Sequence, residues 1–145
     1  MARVKIVFPD QIPLFKSSIA IRITDLNYGN HLGNDRLLGI LHEARVQWLD
    51  SLGLTELNIG GCGLIMADMI MRYQNEGFYG DILEISLYAD AVSQSTFDLL
   101  YKIKVERAGE QISLAAAKTG MVCFDYKIRK VIPIPRAFHS HLTIK

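Results

Sequence analysis

Residues 25–45 read DLNYGNHLGNDRLLGILHEAR, a polar turn running straight into an amphipathic helix. His31, placed just ahead of that helix, can act as acid, base or positioner near neutral pH, and can equally hold the turn through backbone hydrogen bonds. The helix start is a second source of chemistry. Backbone N–H groups near Leu32 to Asp35 lack intrahelical partners and can polarise a carbonyl with help from the helix dipole. Asn34 and Asp35 are also residues that cap helices, and the two roles are compatible. Asp68 interrupts the apolar run LIMADMIMRY. On a strand it would share a face with Leu64, Met66, Ile70 and Arg72, where a carboxylate must be paired, with Arg72 for example, or kept near water. Glu43 falls opposite the apolar stripe of the helix with Arg36, Gln47 and Asp50, a face that is solvated unless a second subunit covers it. Arg45 lies within the apolar arc; a guanidinium there needs a partner, and Asp25 is a candidate.

These side chains need elements to position them. Apolar residues at 37, 38, 41, 44, 48, 49 and 52 share one face at helical spacing, and Gly53 follows as a C-cap would, which predicts a helix over residues 34–52. Residues 17–23, SSIAIRI, read as a first strand. After NIGGCG come four strand-like runs, LIMADMIMRY, DILEISLYADAV, TFDLLYKIKVER and ISLAAAKTGMVCFDY, joined by connections short enough for antiparallel pairing. KIRKVIPIPRAF is interrupted by prolines and cannot continue a central strand. One helix and an antiparallel sheet of about five strands must bury their apolar faces on each other, so the expected class is α+β, with the sheet curled around the helix. An uncovered sheet edge then predicts a symmetric dimer. Met66, Met69, Met71 and Tyr73 can line an adaptable pocket, although core packing is the commoner role.

The chain has 145 residues, which suits a single domain over 1–145 with one core. A formal net charge of +1 with 21% charged residues argues against nucleic acid as the main partner. No apolar run reaches the ~20 residues needed to span a bilayer. The N-terminal MARVKIVFPDQIPLFK carries charges and prolines where a signal peptide would be apolar, so a cytoplasmic location is expected. Cys62 and Cys123 stand far apart with no CxxC and no clustered histidine; the expectation is no metal site and two small core residues.

In this order and at these distances, Asp25, the Asn30-His31 pair, HEAR in the helix, MRYQNEGFYGD with Asp81 opening a strand, and IPIP near the end resemble the hotdog-fold thioesterases of the 4-hydroxybenzoyl-CoA thioesterase type. The resemblance covers nearly the whole chain. The opening turn is also similar to the DLDVNQHVNN…GWILE region of plant acyl-ACP thioesterases, which Asp25, His31, Asn34, Gly39 and Glu43 match. It implies a hotdog fold and hydrolysis of an acyl thioester, on CoA or acyl carrier protein, at a site shared across a homodimer that can pair into a dimer of dimers. No cofactor is implied, since coenzyme A is part of the substrate. Where these families carry their active-site aspartate this chain has Asn27, the plant-type asparagine position is Gly29, and the region of the plant Glu-Cys pair reads IMAD. Asparagine can position a water but cannot be a general base. The implied site therefore has Asn27 and His31 positioning thioester and water, Asp68 or Glu43 as base, and Asp25, Leu32, Asn34 and Asp35 framing the substrate. Lys118, Arg129 and Lys130 are the cations expected to meet CoA phosphates. The missing aspartate leaves a non-catalytic acyl-CoA or acyl-carrier-protein binding role as the alternative.

Overall fold

The computed structural model describes residues 3–143; the outermost residues of the expected 1–145 domain lie outside them. Strand β1 (Phe15–Ala20) leads into a 3₁₀ turn (Ile23–Asp25) and the long helix α1 (Asn34–Ser51). Strands β2 (Gly63–Tyr73), β3 (Ile82–Asp90), β4 (Thr96–Arg107) and β5 (Glu110–Asp125) follow, then the short β6 (Lys130–Val131) and a final turn of helix, α2 (Arg136–His139). The strands form one antiparallel sheet in the order β1-β3-β4-β5-β2, with β6 on β5, and it encloses α1 in a hotdog arrangement.

Burial in α1 recurs at Leu37, Ile40, Leu41, Ala44, Arg45, Trp48 and Leu49. That stripe meets the alternate residues Leu83, Ile85 and Leu87 of β3 and Phe97, Leu99 and Tyr101 of β4 in one core. The expected stripe is off at Leu38, which is 42% exposed, while Ile40 takes the buried position. Gly53 (φ +73) ends the helix as expected, with the Leu54 N–H returning to Leu49 O. Arg45 is buried, but its partners are Glu56 (3.0 Å) and the Tyr101 hydroxyl (2.9 Å), not Asp25. The first strand is shorter than residues 17–23 and starts earlier, because Arg22 and Asp25 bond to each other and close the 3₁₀ turn there. The proline-bearing tail folds back: Phe138 of α2 packs 5.8 Å from Trp48 and 5.9 Å from Phe97, ring centre to ring centre. Both cysteines are buried and free, and burial together with Cys62 pushes the Cys123 thiol up to about 12.

One irregularity matters for the site. The β2–β5 register shifts between Met66 and Asp68, so Ala67 is an extra, bulged residue. Before the bulge Leu64 faces the core; after it Met69 and Met71 do. Asp68 therefore lies with Ile70 and Arg72 on the outer face, not with Leu64 and Met66 as strict alternation predicts.

Candidate active site

The turn ahead of α1 is knitted by its own polar groups. Asn27 N–H donates to His31 O (2.9 Å), Asn30 N–H to Asn27 O (3.1 Å), and the Asn27 side-chain oxygen accepts the Gly29 N–H (2.9 Å). Asn30 takes the left-handed conformation (φ 64) that Asn tolerates well. A Cβ on Gly29 would lie 3.2 Å from both Asn27 Oδ1 and His31 Nε2, so the bare glycine is what lets these two side chains converge. His31 Nδ1 lies 3.2 Å from Leu32 O. A carbonyl only accepts, so Nδ1 is the donor in this bond.

Asp25 is buried beneath the turn, accepting from the Arg22 backbone (2.8 Å) and guanidinium (3.3 Å). Burial pushes its carboxyl up, but the Arg22 hydrogen bonds outweigh that and hold it below its ordinary value. Its backbone oxygen accepts the Gly33 N–H (2.9 Å), and Leu32 N–H donates to Gly77 O (2.7 Å). Two of the four amides expected to be free are therefore occupied. Gly33 is the N-cap residue and makes no side-chain cap, so neither Asn34 nor Asp35 caps the helix. Among the described residues only the Asn34 and Asp35 amides of this set are left without an acceptor.

Asn34 opens onto a cleft of about 550 Å³ between the start of α1 and the loop after β2. Leu32, Leu37 and Leu114 give it apolar wall; His31, Tyr73 and Glu76 bring polar groups. The Tyr73 hydroxyl donates to Asn34 O (3.0 Å), tying the end of β2 to the first helical residue. Burial first, then the Asp35 carboxylate, raise the Tyr73 phenol above its usual range. On the rim, Arg107 pairs with Asp81 (2.5 Å), donates to Glu76 O (2.7 Å) and stacks over Phe78 (4.9 Å). The loop can sit this close because Gly77 has no side chain: a Cβ there would come within 2.8 Å of Ile21 Cδ1 and 3.2 Å of Leu32 Cβ.

The other expected site residues are dispersed. Asp68 is exposed on the outer face, accepting the Gly120 N–H (3.1 Å) across the bulge, and makes no ion pair with Arg72. Glu43 lines a separate groove between β1 and α1, with Arg22, Asp35 and Arg36. Lys118 pairs with Asp98 (3.9 Å), Arg129 lies 5.9 Å from the Phe124 ring, and Lys130 is exposed in β6; none of the three lines the cleft. The cleft residues that sequence reasoning missed are Glu76, Arg107 and the hydroxyl role of Tyr73. The signal for Glu76 was NEGFYG, which reads as a connection until its loop is seen against the helix; Tyr73 and Arg107 stand at the ends of strand runs, where nothing local marks them. Among the described residues no three His, Cys, Asp or Glu side chains come together as a metal site needs.

A helix enclosed by a curved antiparallel sheet, with free amides and a histidine at the helix start beside an apolar cleft, defines a hotdog thioesterase architecture. The chain belongs to the thioesterase-like superfamily, whose family profile matches residues 21–142. Solved structures with the same fold include the PA2801 protein of Pseudomonas aeruginosa, with TM-score 0.81 at 19% identity over 90% of this chain and 99% of that one. A 1,4-dihydroxy-2-naphthoyl-CoA thioesterase from Synechocystis aligns with TM-score 0.77 at 24% identity, over 88% and 94%. A mutant 4-hydroxybenzoyl CoA thioesterase complexed with 4-hydroxybenzoyl CoA aligns with TM-score 0.79 at 14% identity, over 89% and 98%. No curated protein matches the sequence.

Proposed function

We propose that the protein hydrolyses an acyl thioester, carried on CoA or on acyl carrier protein, to the free acid and thiol. The observation that carries this reading is the convergence of His31, the unpaired Asn34 amide and an apolar wall on one cleft, in a chain of the thioesterase-like superfamily. The thioester carbonyl oxygen accepts from the Asn34 N–H, where developing negative charge is favoured by the helix start. His31 and Asn27 orient thioester and water, and the acyl group rests on Leu32, Leu37 and Leu114. The attacking water needs a base. Glu76 lines the cleft, whereas Glu43 and Asp68 do not, and either would serve as base only if a partner subunit brought it there. That two structural neighbours are named for aromatic acyl-CoAs supports CoA as the carrier and a compact acyl group. No cofactor is required beyond the CoA that is part of the substrate.

A homodimer, or a dimer of dimers, completes the reading. It is supported by the long edge strand β2, on which Met66 is 49% exposed and whose last residue, Tyr73, lines the cleft. A cytoplasmic location is supported by the two free cysteines. The test of the base is thiol release from short, long and aromatic acyl-CoAs by Glu76→Gln, Glu43→Gln and Asp68→Asn. Loss of about 100-fold is expected in Glu76→Gln, since a general base contributes about 10²–10⁴-fold. Unchanged turnover in that variant removes Glu76 from the mechanism; unchanged turnover in all three removes the carboxylate base.

One observation favours a second reading, an acyl-CoA or acyl-carrier-protein binding protein without hydrolysis. Asn27 is not a base, and its side-chain oxygen is engaged with Gly29. Tight binding of a non-hydrolysable acyl-CoA, with no thiol release across chain lengths, would establish it.

A further inference from the structure

On the outer face of the sheet, Arg72 of β2, Ala116 of β5 and Lys102 of β4 stand in one row. Along the same face Lys104 lies opposite Ser113. Adjacent strands are about 4.8 Å apart, so Arg72 and Lys102 flank the Ala116 methyl at about 10 Å from each other. A hollow of about 250 Å³ results, lined by Phe8, Arg72, Gln74, Lys102, Lys104 and Ser113, with three cations and no carboxylate.

Of the acidic groups on this face, Glu84, opposite Lys104 in register, pairs with Lys16 (3.6 Å) and Asp98 pairs with Lys118 (3.9 Å), while Glu106, next along β4 from Lys104, and Asp68 of β2 do not line the hollow. Among the described residues Arg72, Lys102 and Lys104 make no ion pair. Lys102 lies instead over the rings of Phe8 (4.6 Å) and Tyr88 (5.4 Å), which fixes it at the margin of the hollow. Three uncompensated positive charges around one concavity focus a field that attracts a compact polyanion. Gln74 lines both this hollow and the candidate cleft, so the two meet at the end of β2.

We infer that the hollow receives the phosphate groups of a coenzyme A thioester whose acyl end lies in the cleft, an inference that rests on the thioesterase reading. It gives Arg72, Lys102 and Lys104 the task expected of Lys118, Arg129 and Lys130. Coenzyme A carries a diphosphate and a 3′-phosphate at one end of a flexible arm and the thioester at the other. A guanidinium and two ammonium groups match those charges, Arg72 by two parallel N–H donors and the lysines as point charges.

The test compares hydrolysis of an acyl-CoA, the matching acyl-dephospho-CoA and the matching acyl-pantetheine, which has no phosphate, by wild type and the double variant Arg72→Gln/Lys104→Gln. Lys102 is left in place because it also holds Phe8. The preference for acyl-CoA over acyl-pantetheine, as a ratio of kcat/KM, is expected to fall about tenfold in the double variant, through KM. Arg72→Lys/Lys104→Arg should keep most of it. A partial fall on acyl-dephospho-CoA in wild type would assign the 3′-phosphate to the hollow, and no fall would assign the diphosphate. An unchanged ratio in the double variant overturns the inference. If wild type hydrolyses none of the three, calorimetry with CoA and pantetheine replaces the assay: weaker CoA binding in the double variant keeps the phosphate site while the hydrolase reading falls, and equal CoA binding removes the site too.

Discussion

Gly29 and Tyr73 show how single residues shape the cleft from opposite sides. Gly29 leaves room for Asn27 and His31 to converge, so Gly29→Ala should push the imidazole aside and lower turnover while leaving the melting temperature nearly unchanged. Tyr73→Phe removes the hydrogen bond to Asn34 O. It should cost about 1 kcal/mol of stability by denaturant titration, and turnover should fall with it as the Asn34 amide loses its anchor. His31 and Asn34 were legible in the sequence because a histidine before a helix and an amide at its start carry their chemistry locally. Tyr73 was not, since it meets Asn34 across 39 residues of chain. Asp68 was legible as an anomaly but was put on the wrong face, because one bulged residue reverses the alternation and a bulge has no fixed sequence signature.

At the scale of elements, the long helix and the four strands after it were readable from periodicity because each buries one face. The expected helix stripe differs at Leu38, which is exposed, and at Ile40, which is buried, two residues equally apolar in type. The final turn of helix was hidden by the prolines of IPIP, although its Phe138 fills the core beside Trp48. Arg45 ties α1 to Glu56 and to Tyr101 of β4, so Arg45→Leu should destabilise by about 3–5 kcal/mol, as expected when one partner of a buried polar network is removed. Gly77→Ala would drive a methyl into Ile21 and should cost about 1–3 kcal/mol, read from the same titration, because the loop must retreat from the helix start.

The whole molecule is held partly by carboxylates that stay ionised. For Asp25, Asp81 and Glu56, burial raises the pKa, but hydrogen bonds from Arg22, Arg107, and His42 with Arg45 outweigh it, so each titrates below its ordinary value. A depressed carboxyl stabilises the fold above its unfolded pKa, near pH 4, and the contribution is lost as pH falls through the lower folded value. Melting temperature should therefore hold from pH 7 to about 5 and drop steeply below about 4. Asp81→Asn should flatten that drop; an unaltered profile would remove the Asp81–Arg107 pair as a contributor. What sequence could not supply at this scale is how the candidate carboxylates are distributed: Glu76 in the cleft, Glu43 along β1 and Asp68 on the outer face. Their positions depend on sheet order and curvature, to which no local pattern points.

The most direct test of the proposed hydrolysis is thiol release from a panel of acyl-CoAs by wild type and His31→Ala, with folding of the variant checked by its melting temperature. The expected result is release by wild type that falls about 100-fold in a folded His31→Ala. Equal release by the two proteins, or none by wild type from any substrate, would contradict a hydrolase centred on this cleft.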